Sequence, residues 1–330
     1  MVNLKLDDIL SSISSFEEFE QLKSNNEFCK SVANEIISRH KLSKKPLTIF
    51  ADGTNIVFAY GKDQVIKIFP PFHAEQFKSE RLVLKHLQDK LSVKTPNIQY
   101  DGEMMQWPYL VMTKLEGTLL ETLWETMDYK NKEVIIHELG ALIREVHSLP
   151  TQGLESIDCH WSSFINYQIG HCIAHHRSKG LADKLLDQLS TYLKSNKGLL
   201  QEIKNPVLLT GEYTPMNLLV KQHDGVWHID GLIDFGDAML GLQEYDLLGP
   251  GAFLIQGDKS LLRLFLTAYG FLPNEMTEIL SYQLTALMLL HKYSNLNVQI
   301  RIKNWKEQVS SIEALQNLVW GLGGVPSQQV

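Results

Sequence analysis

The chain of 330 residues carries 31 Lys and Arg against 38 Asp and Glu, a formal charge of −7, with 44% hydrophobic and 21% charged residues. This composition supplies enough apolar side chains for a sizeable core and is atypical of disordered proteins. The net negative charge disfavours nucleic acid as a partner, because nucleic-acid binding needs a basic surface. The length is compatible with one large domain or with two lobes.

Hydropathy and cysteine spacing predict a cytoplasmic protein. The longest apolar runs, at 247–255 and 284–290, fall short of the roughly 18 residues that a membrane helix needs, so no membrane association is expected. The N-terminal stretch MVNLKLDDILSSISSF contains two early acids and lacks the apolar segment of a signal peptide. The three cysteines are widely spaced and odd in number, which is typical of a reducing compartment.

The first half of the chain changes from a helical to a β-rich pattern. Helical periodicity ends in the basic, proline-stopped stretch RHKLSKKP, which predicts a helical extension over residues 1–46. The short β-rich runs LTIF, NIVFAY, QVIKIF and YLVM follow, broken by glycine-bearing turns and by one helix from about His73 to Leu91. These runs predict a small β-rich lobe over residues 47–115.

The rest of the chain is mostly helical, apart from a β-rich island from Val207 to Ile233. We therefore predict an α+β fold with a large, mainly helical lobe over residues 116–330. That lobe would carry the charge, because residues 1–115 hold 15 basic and 14 acidic side chains and the remainder holds a net charge of −8. Such a field would suit a cationic small molecule, although a solvated acidic surface is the commoner explanation.

Within the β-rich island, NLLVKQHDGVWHIDGLID is typical of a β-hairpin that turns at Asp224-Gly225. Asn217 and Asp234 lie nearly equidistant from that turn, so antiparallel pairing would bring an amide and a carboxylate side by side. Oxygen ligands of this kind suit Mg²⁺, which completes its coordination with waters and substrate phosphates. The pattern predicts a magnesium site.

A carboxylate precedes this hairpin at an informative interval. Glu212 lies five residues before Asn217 in the loop TGEYTPMN, which matches the acid-to-asparagine spacing of a phosphotransferase catalytic loop. In such a loop the acid receives the proton of the acceptor hydroxyl. Taken alone, the stretch is equally well explained as an ordinary loop before a hairpin.

The β-rich lobe supplies a matching cation. Lys67 lies between apolar neighbours in QVIKIF, so it is either an edge residue that reaches solvent or a cation held for a purpose. In the helix that follows, Glu80 is the one acid on the apolar stripe, and a buried carboxylate needs a partner such as Lys67. In a kinase this ion pair positions the lysine on the nucleotide phosphates. The stripe consists of Phe77, Glu80, Leu84, Leu87 and Leu91.

Two further segments fit a nucleotide site. Gly53 in ADGTNIVFAYG lies between two β-rich runs, where a glycine lets the backbone approach phosphates closely, although turns use glycine routinely. The segment WPYLVMTKLEG passes from a buried strand into a polar link, as a hinge between lobes would. Backbone groups of Thr113 and Leu115 could there bond the edge of an adenine.

The chain resembles the aminoglycoside phosphotransferase family of small-molecule kinases over about residues 47–270. The resemblance rests on GTNIVF, the Lys67 and Glu80 pair, VMTKLEG, ELGALIREVHSLP, TGEYTPMN and GLIDFGDAMLGLQEYDLLGP. It implies a bilobal protein-kinase-like fold with ATP or GTP as phosphoryl donor. It further implies that Gly53, Thr54 and Lys67 lie at the nucleotide, that Glu80 holds Lys67, and that Asn217 and Asp234 carry Mg²⁺.

Two positions depart from the usual H-G-D-x-x-x-x-N loop, since Thr210 replaces the His and Glu212 replaces the Asp. The extra methylene of Glu212 moves the carboxylate by up to ~1.5 Å, one carbon–carbon bond, and misplacement of this order can cost about 10²-fold in rate. Phosphoryl transfer makes little demand on the base, so Glu212 is retained as the catalytic residue. The alternative is a nucleotide-binding pseudokinase with a sensing or interaction role.

The remaining candidates are weighed against ordinary structural roles. Trp161 is a candidate for the acceptor site, although a core tryptophan is the commoner outcome. His147 and Asp246 are expected to brace the large lobe and not to touch substrate. The partner predicted is a small-molecule hydroxyl acceptor, with a cationic aminoglycoside-like compound as the favoured class.

Overall fold

The computed structural model describes residues 10, 13, 15–51, 53–195, 197–201, 203 and 205–323. The described residues form two compact units. The first takes its residues from 1–90, 94–116 and 231–237, and the second from 91–93, 117–230 and 238–330. The N-terminal helices thus belong to the same unit as the sheet, and the division at residues 46 and 115 stays a prediction. The α+β class is confirmed, since an antiparallel sheet precedes a mainly helical region.

The first unit is built on a five-stranded antiparallel sheet in the order β1-β2-β3-β5-β4. Strand β3 is internal, because it pairs with β2 on one side and with β5 on the other. Every backbone group of an internal strand can pair, so its side chains are placed firmly against both faces. The strands are β1 Leu47–Ile49, β2 Ile56–Tyr60, β3 Gln64–Ile68, β4 Ile98–Met104 and β5 Trp107–Thr113.

The two N-terminal helices, α1 (Phe16–Lys23) and α2 (Asn26–Arg39), cover one face of this sheet. Their apolar side chains share a core with alternate residues of β2, β3 and β5, including Ile66 and Ile68 of β3. Alternation then directs Lys67 to the opposite face, where helix α3 (Ala74–Leu87) lies. Residues 1–9, which also fall in the predicted helical extension, lie outside the described ranges.

The second unit contains most of the helices and the predicted hairpin. Strands β8 and β9 form that hairpin, and Asp224 and Gly225 at its turn both have positive φ, which matches the right-handed twist of the flanking strands. The helices are α4 Tyr129–His147, α5 Trp161–Ser178, α6 Asp183–Lys194, α7 Lys197–Gln201, α8 Leu248–Pro250, α9 Lys259–Tyr269, α10 Glu278–Leu290, α11 Leu296–Gln299, α12 Trp305–Gln308 and α13 Ile312–Trp320. The strands are β6 Thr118–Leu119, β7 Val207–Leu209, β8 Leu218–His223, β9 Val226–Leu232 and β10 Met239–Gly241.

Strands β6 and β10 are additions to the single β-rich island that the sequence predicts. Strand β10 pairs with β7 in a two-stranded sheet, and β6 pairs with β8 at the edge of a three-stranded sheet. Each has two or three residues, which is too short for alternation to reveal. Among the described helices, none combines the length and apolar character required to cross a membrane.

Candidate active site

Lys67 is the centre of a buried ion group in the first unit. Its Nζ lies 2.6 Å from Glu80 Oε2 and 2.9 Å from Asp234 Oδ1. The side chains of Lys67 and Glu80 are 6% and 2% exposed, so both charges have left water. Lys67 belongs to the internal strand β3, which removes the alternative of an edge lysine reaching solvent. The Lys67 and Glu80 contact matches the pair predicted from the sequence.

The two charges respond differently to burial. Burial alone would lower the pKa of Lys67, but Asp234 and Glu80 outweigh it and raise that pKa above its ordinary value. Burial also raises the pKa of Glu80 to about 7, and Lys67 only partly opposes the shift. Lys67 therefore stays cationic across the physiological range.

Asp234 follows β9 and adopts an unusual backbone conformation. Its φ is +66°, in the left-handed region that non-glycine residues rarely occupy. Such conformations cost about 1–3 kcal/mol and persist where the surroundings enforce them, commonly at functional sites. Here the enforced conformation brings Oδ1 to Lys67, while the side chain stays 39% exposed. Asp234 thus combines a fixed position with access for a ligand.

The glycine turn between β1 and β2 is exposed. Gly53 has φ +106°, and no atom lies within 4 Å of the position that a Cβ would occupy. Thr54 beside it is exposed, while the next residue, Asn55, is buried, and its Oδ1 accepts a hydrogen bond from His73 Nδ1 over 3.1 Å. The turn therefore exposes Gly53 and Thr54 beside the anchored Asn55, which suits the close approach to phosphates that the sequence predicts for Gly53.

Two backbone N–H groups of the predicted hinge already donate hydrogen bonds within the first unit. Thr113 ends β5, its N–H donates to Asn97 O, and its Oγ1 accepts from Asn97 N. The N–H of Lys114 donates to Asp63 O. Binding of an adenine edge at this segment would therefore use groups other than these two N–H donors, such as the backbone of the half-buried Leu115. The hinge assignment of Thr113 and Leu115 stays a prediction.

The catalytic-loop candidates meet in the second unit. Asn217 Nδ2 donates to Glu212 Oε2 over 2.9 Å and to Glu212 O over 3.1 Å. The extra methylene of Glu212 thus lets its carboxylate reach the amide nitrogen of Asn217. Because that nitrogen faces Glu212, the amide oxygen of Asn217 is the atom left for a cation.

The backbone of the same loop is held by Asp246. One oxygen of this carboxylate accepts from Thr210 N and the other from Gly211 N, both over 2.9 Å, and His147 Nε2 lies 3.1 Å from Oδ2. Asp246 is 2% exposed, so these donors replace its lost water. His147 is fixed in turn by Tyr269 Oη at 2.9 Å from its Nδ1. These contacts fit the bracing roles expected of Asp246 and His147.

Trp161 is placed in the core of the second unit. It is 5% exposed, its Nε1 donates to Leu200 O over 2.8 Å, and its ring packs against Tyr245 with centroids 5.4 Å apart. A side chain committed in this way offers little surface to an acceptor. Its placement corresponds to the alternative of a core tryptophan, and an acceptor role for Trp161 gains no support.

Sequence reasoning missed a contact between α3 and the segment after Asp234. Gln76 Nε2 lies 3.4 Å from Asp237 Oδ1, and the Cβ of Gln76 would be 3.2 Å from a Cβ added to Gly236. Gln76 precedes Glu80 by one helical turn, so the two side chains share a face of α3. That spacing is the signal in the sequence that could have identified Gln76.

Each unit supplies one candidate oxygen ligand for a hard divalent cation. Asp234 supplies an exposed carboxylate and Asn217 an amide oxygen, and oxygen ligands of this type are those that Mg²⁺ prefers. In the part of the chain that the structure describes, no group of three or more His, Cys, Asp or Glu side chains could hold a metal ion. A magnesium ion would therefore need phosphate and water oxygens for the rest of its shell.

Comparison with known proteins agrees with this chemistry. The model of a family described as phosphotransferase enzymes matches residues 49–279. The GDP complex of wild-type aminoglycoside 2′-phosphotransferase-IIIa has a TM-score of 0.66 at 18% identity, covering 87% of this chain and 96% of the other. The macrolide 2′-phosphotransferase MphH from Brachybacterium faecium has a TM-score of 0.55 at 16% identity, covering 78% of this chain and 90% of the other.

A third solved structure is the ternary complex of APH(2″)-IIa with streptomycin and ATP, with a TM-score of 0.56 at 15% identity, covering 80% of this chain and 90% of the other. At such identities a structural likeness establishes the fold and leaves the substrate open. The family model matches the sequence itself over most of the chain, so it is stronger evidence of family membership than the structural likeness.

Proposed function

Because this chain belongs to the phosphotransferase enzyme family and is a small-molecule phosphotransferase, we propose that ATP or GTP donates its γ-phosphoryl group to a hydroxyl of a small molecule. The observation that carries this proposal is the buried Lys67 held between Glu80 and Asp234. A lysine desolvated and fixed by two carboxylates has a defined position from which to bind phosphate oxygens. A structural ion pair would need only one carboxylate partner.

In this proposal the first unit binds the nucleotide. Lys67 contacts its phosphates, Glu80 fixes Lys67, and the open turn at Gly53 and Thr54 offers backbone N–H groups to the phosphates. The segment of Thr113 and Leu115 receives the base. The raised pKa of Lys67 supports its part, because the side chain stays charged while it binds an anion.

Asn217 and Asp234 are the proposed ligands of Mg²⁺. Bound Mg²⁺ would neutralise charge on the phosphate oxygens during transfer. The exposure of the Asp234 carboxylate and the orientation of the Asn217 amide support this assignment. Lys67 meanwhile holds Asp234 Oδ1, which fixes the carboxylate in one direction.

Glu212 is the proposed catalytic acceptor of the hydroxyl proton. The hydroxyl oxygen forms a bond to the γ-phosphorus as the bond from that phosphorus to the bridging oxygen breaks, the nucleoside diphosphate leaves, and the proton passes to the Glu212 carboxylate. The hydrogen bond from Asn217 Nδ2 fixes one oxygen of this carboxylate. The Glu212 carboxylate is the group that we assign to the acceptor hydroxyl.

The acceptor is proposed to be cationic. Residues 116–330 carry a net charge of −8, and an acidic field concentrates cations near it. Aminoglycoside-like compounds combine amino groups with several hydroxyls and so match both requirements. The names of the similar structures include aminoglycoside and macrolide phosphotransferases, which defines the first compounds to test.

The test is turnover on a panel of acceptors. Purified protein with Mg²⁺ and ATP or GTP is incubated with aminoglycosides, macrolides, amino alcohols and neutral sugars, and both nucleoside diphosphate and phosphorylated acceptor are measured. We expect acceptor-dependent release of diphosphate with one phosphoryl group added to a cationic acceptor. Nucleotide binding without diphosphate release across the panel would instead support the pseudokinase alternative, which Glu212 at the usual Asp position raises.

We also propose that the enzyme acts in the cytoplasm. The structure leaves Cys29, Cys159 and Cys172 as free thiols, and two of them are buried. Free thiols at these positions are compatible with a reducing compartment, where both ATP and GTP are present. Immunodetection in fractionated cells would check the location.

A further inference from the structure

The N-terminal helices have no role in the proposed chemistry, yet one of them contacts the glycine turn. Lys23, in the last turn of α1, donates a hydrogen bond from Nζ to the carbonyl oxygen of Gly53. Its side chain is only 13% exposed, so the long aliphatic stem is packed against the protein. Glu20 Oε1 on the same helix lies 3.9 Å from Nζ. The hydrogen bond between Lys23 and Gly53 joins residues that are 30 positions apart in the sequence.

Helix α1 is a rigid support for this lysine. Phe19 is fully buried and packs against Phe72 and Trp107 with ring centroids 5.7 and 5.8 Å apart. The N-terminus of α1 is closed by a capping box between Ser15 and Glu18. A capped helix that is anchored by a core aromatic leaves its last turn little freedom, so Nζ of Lys23 is held in place.

The carbonyl of Gly53 determines the direction of the next N–H. In a trans peptide the C=O of Gly53 and the N–H of Thr54 lie in one plane and point in opposite directions. Gly53 has φ +106°, a backbone conformation that glycine adopts without strain. The hydrogen bond from Lys23 selects one orientation, in which the N–H of Thr54 points away from the ammonium.

We propose that Lys23 is a positioning residue for the nucleotide, because it fixes the Gly53–Thr54 peptide with its N–H, and not its carbonyl, presented to phosphate. The inference rests on the proposed function, in which this turn binds phosphates. The second anchor of the turn is the hydrogen bond between Asn55 and His73, at 3.1 Å. With Gly53 and Asn55 both held, this part of the turn is positioned before the nucleotide binds, which lowers the entropic cost of binding.

The test compares Lys23→Met with Lys23→Arg, which retains a charged donor. Steady-state kinetics with varied nucleotide should show KM raised about 10-fold in Lys23→Met and near the wild-type value in Lys23→Arg, with kcat unchanged in both. Lys30→Met is the matched control, since Lys30 lies on α2 and pairs only with Glu27 at 3.6 Å among the contacts recorded for it. An unchanged nucleotide KM in Lys23→Met, or an equal rise in Lys30→Met, overturns the proposal.

A readout without nucleotide separates this proposal from the proposed function. Amide hydrogen exchange of the 53–56 segment should accelerate at least several-fold in Lys23→Met and stay at the wild-type rate in Lys30→Met. If exchange accelerates while the wild-type protein binds no nucleotide, the anchor is real and the proposed function fails. If exchange is unchanged, the positioning role fails regardless of activity. If Lys23→Met melts at a lower temperature than the wild-type protein, Lys23→Gln, which keeps a neutral donor, replaces it in both measurements.

Discussion

The two regions that hold the candidate catalytic groups are stabilised in opposite ways. In the first unit, Lys67 is held by two carboxylates, so charge is balanced by charge in a buried setting. In the second unit, Asp246 holds the loop backbone through two N–H groups, and Glu212 is oriented by the neutral amide of Asn217. The difference teaches which substitutions each region tolerates. Removing one charge from the first leaves another uncompensated, whereas the side chain of Glu212 can change while Asp246 keeps the loop in place.

The largest expected effect is loss of activity in Lys67→Met. We expect kcat/KM to fall by about 10²- to 10³-fold, the range found when a donor to developing charge is removed. Lys62→Met, at an exposed position nearby in sequence, is the control and should retain wild-type kinetics. Activity above one tenth of the wild-type value would remove Lys67 from the phosphate site.

The next effect is on stability, in Asp246→Ala. Truncation leaves the N–H groups of Thr210 and Gly211 without their acceptor in a buried setting, at about 1–3 kcal/mol each. We expect the free energy of unfolding in urea to fall by about 3–5 kcal/mol, while the exposed control Asp187→Ala changes it by less than about 0.5 kcal/mol. Equal effects of the two substitutions would contradict a bracing role for Asp246.

A pH-dependent effect is expected for Glu80→Gln. Because burial raises the folded-state pKa of Glu80 from 4.5 to about 7, protonation of this group stabilises the fold below pH 4.5, and that contribution is lost as pH rises to 7. Glutamine does not titrate, so the stability of Glu80→Gln relative to wild type should rise by up to roughly 3 kcal/mol across this window. Urea denaturation at several pH values measures it. Glu75→Gln, exposed on the same helix, should show no such trend.

The smallest effect is expected for Glu212→Asp. Shortening the side chain withdraws the carboxylate from Asn217 Nδ2 by up to ~1.5 Å, so we expect kcat to fall about 10-fold without a change in melting temperature. An unchanged kcat would show that the position of this carboxylate does not matter to the reaction. A lower melting temperature would show that Glu212 contributes to the stability of the fold. That result would contradict the statement that Asp246 keeps the loop in place when the side chain of Glu212 changes.

Local patterns predicted the pairs that each region contains. Alternation along β3 and the stripe on α3 identified Lys67 and Glu80, because both are regular elements whose periods place side chains on known faces. The interval of five residues identified Glu212 and Asn217, which meet within one loop. In each case the partners are close in sequence or belong to consecutive elements.

Contacts between distant segments escaped the sequence. The approach of Lys67 to Asp234 spans 167 residues, and that of Lys23 to Gly53 depends on how α1 packs on the sheet. Periodicity gives the buried face of an element and carries no information on which distant element covers it. The use of the Thr113 N–H by Asn97 was missed for the same reason, since β4 and the hinge strand β5 pair through tertiary structure.

The contrast between the two regions is tested most directly by measuring nucleotide binding and turnover in Lys67→Met and Glu212→Gln. Glutamine at position 212 can still accept from Asn217 Nδ2 but cannot take the hydroxyl proton. Calorimetric titration with Mg²⁺ and a non-hydrolysable nucleotide should show affinity reduced at least about 10-fold in Lys67→Met and unchanged in Glu212→Gln, while turnover is lost in both. Wild-type affinity in Lys67→Met, or wild-type turnover in Glu212→Gln, would contradict the account.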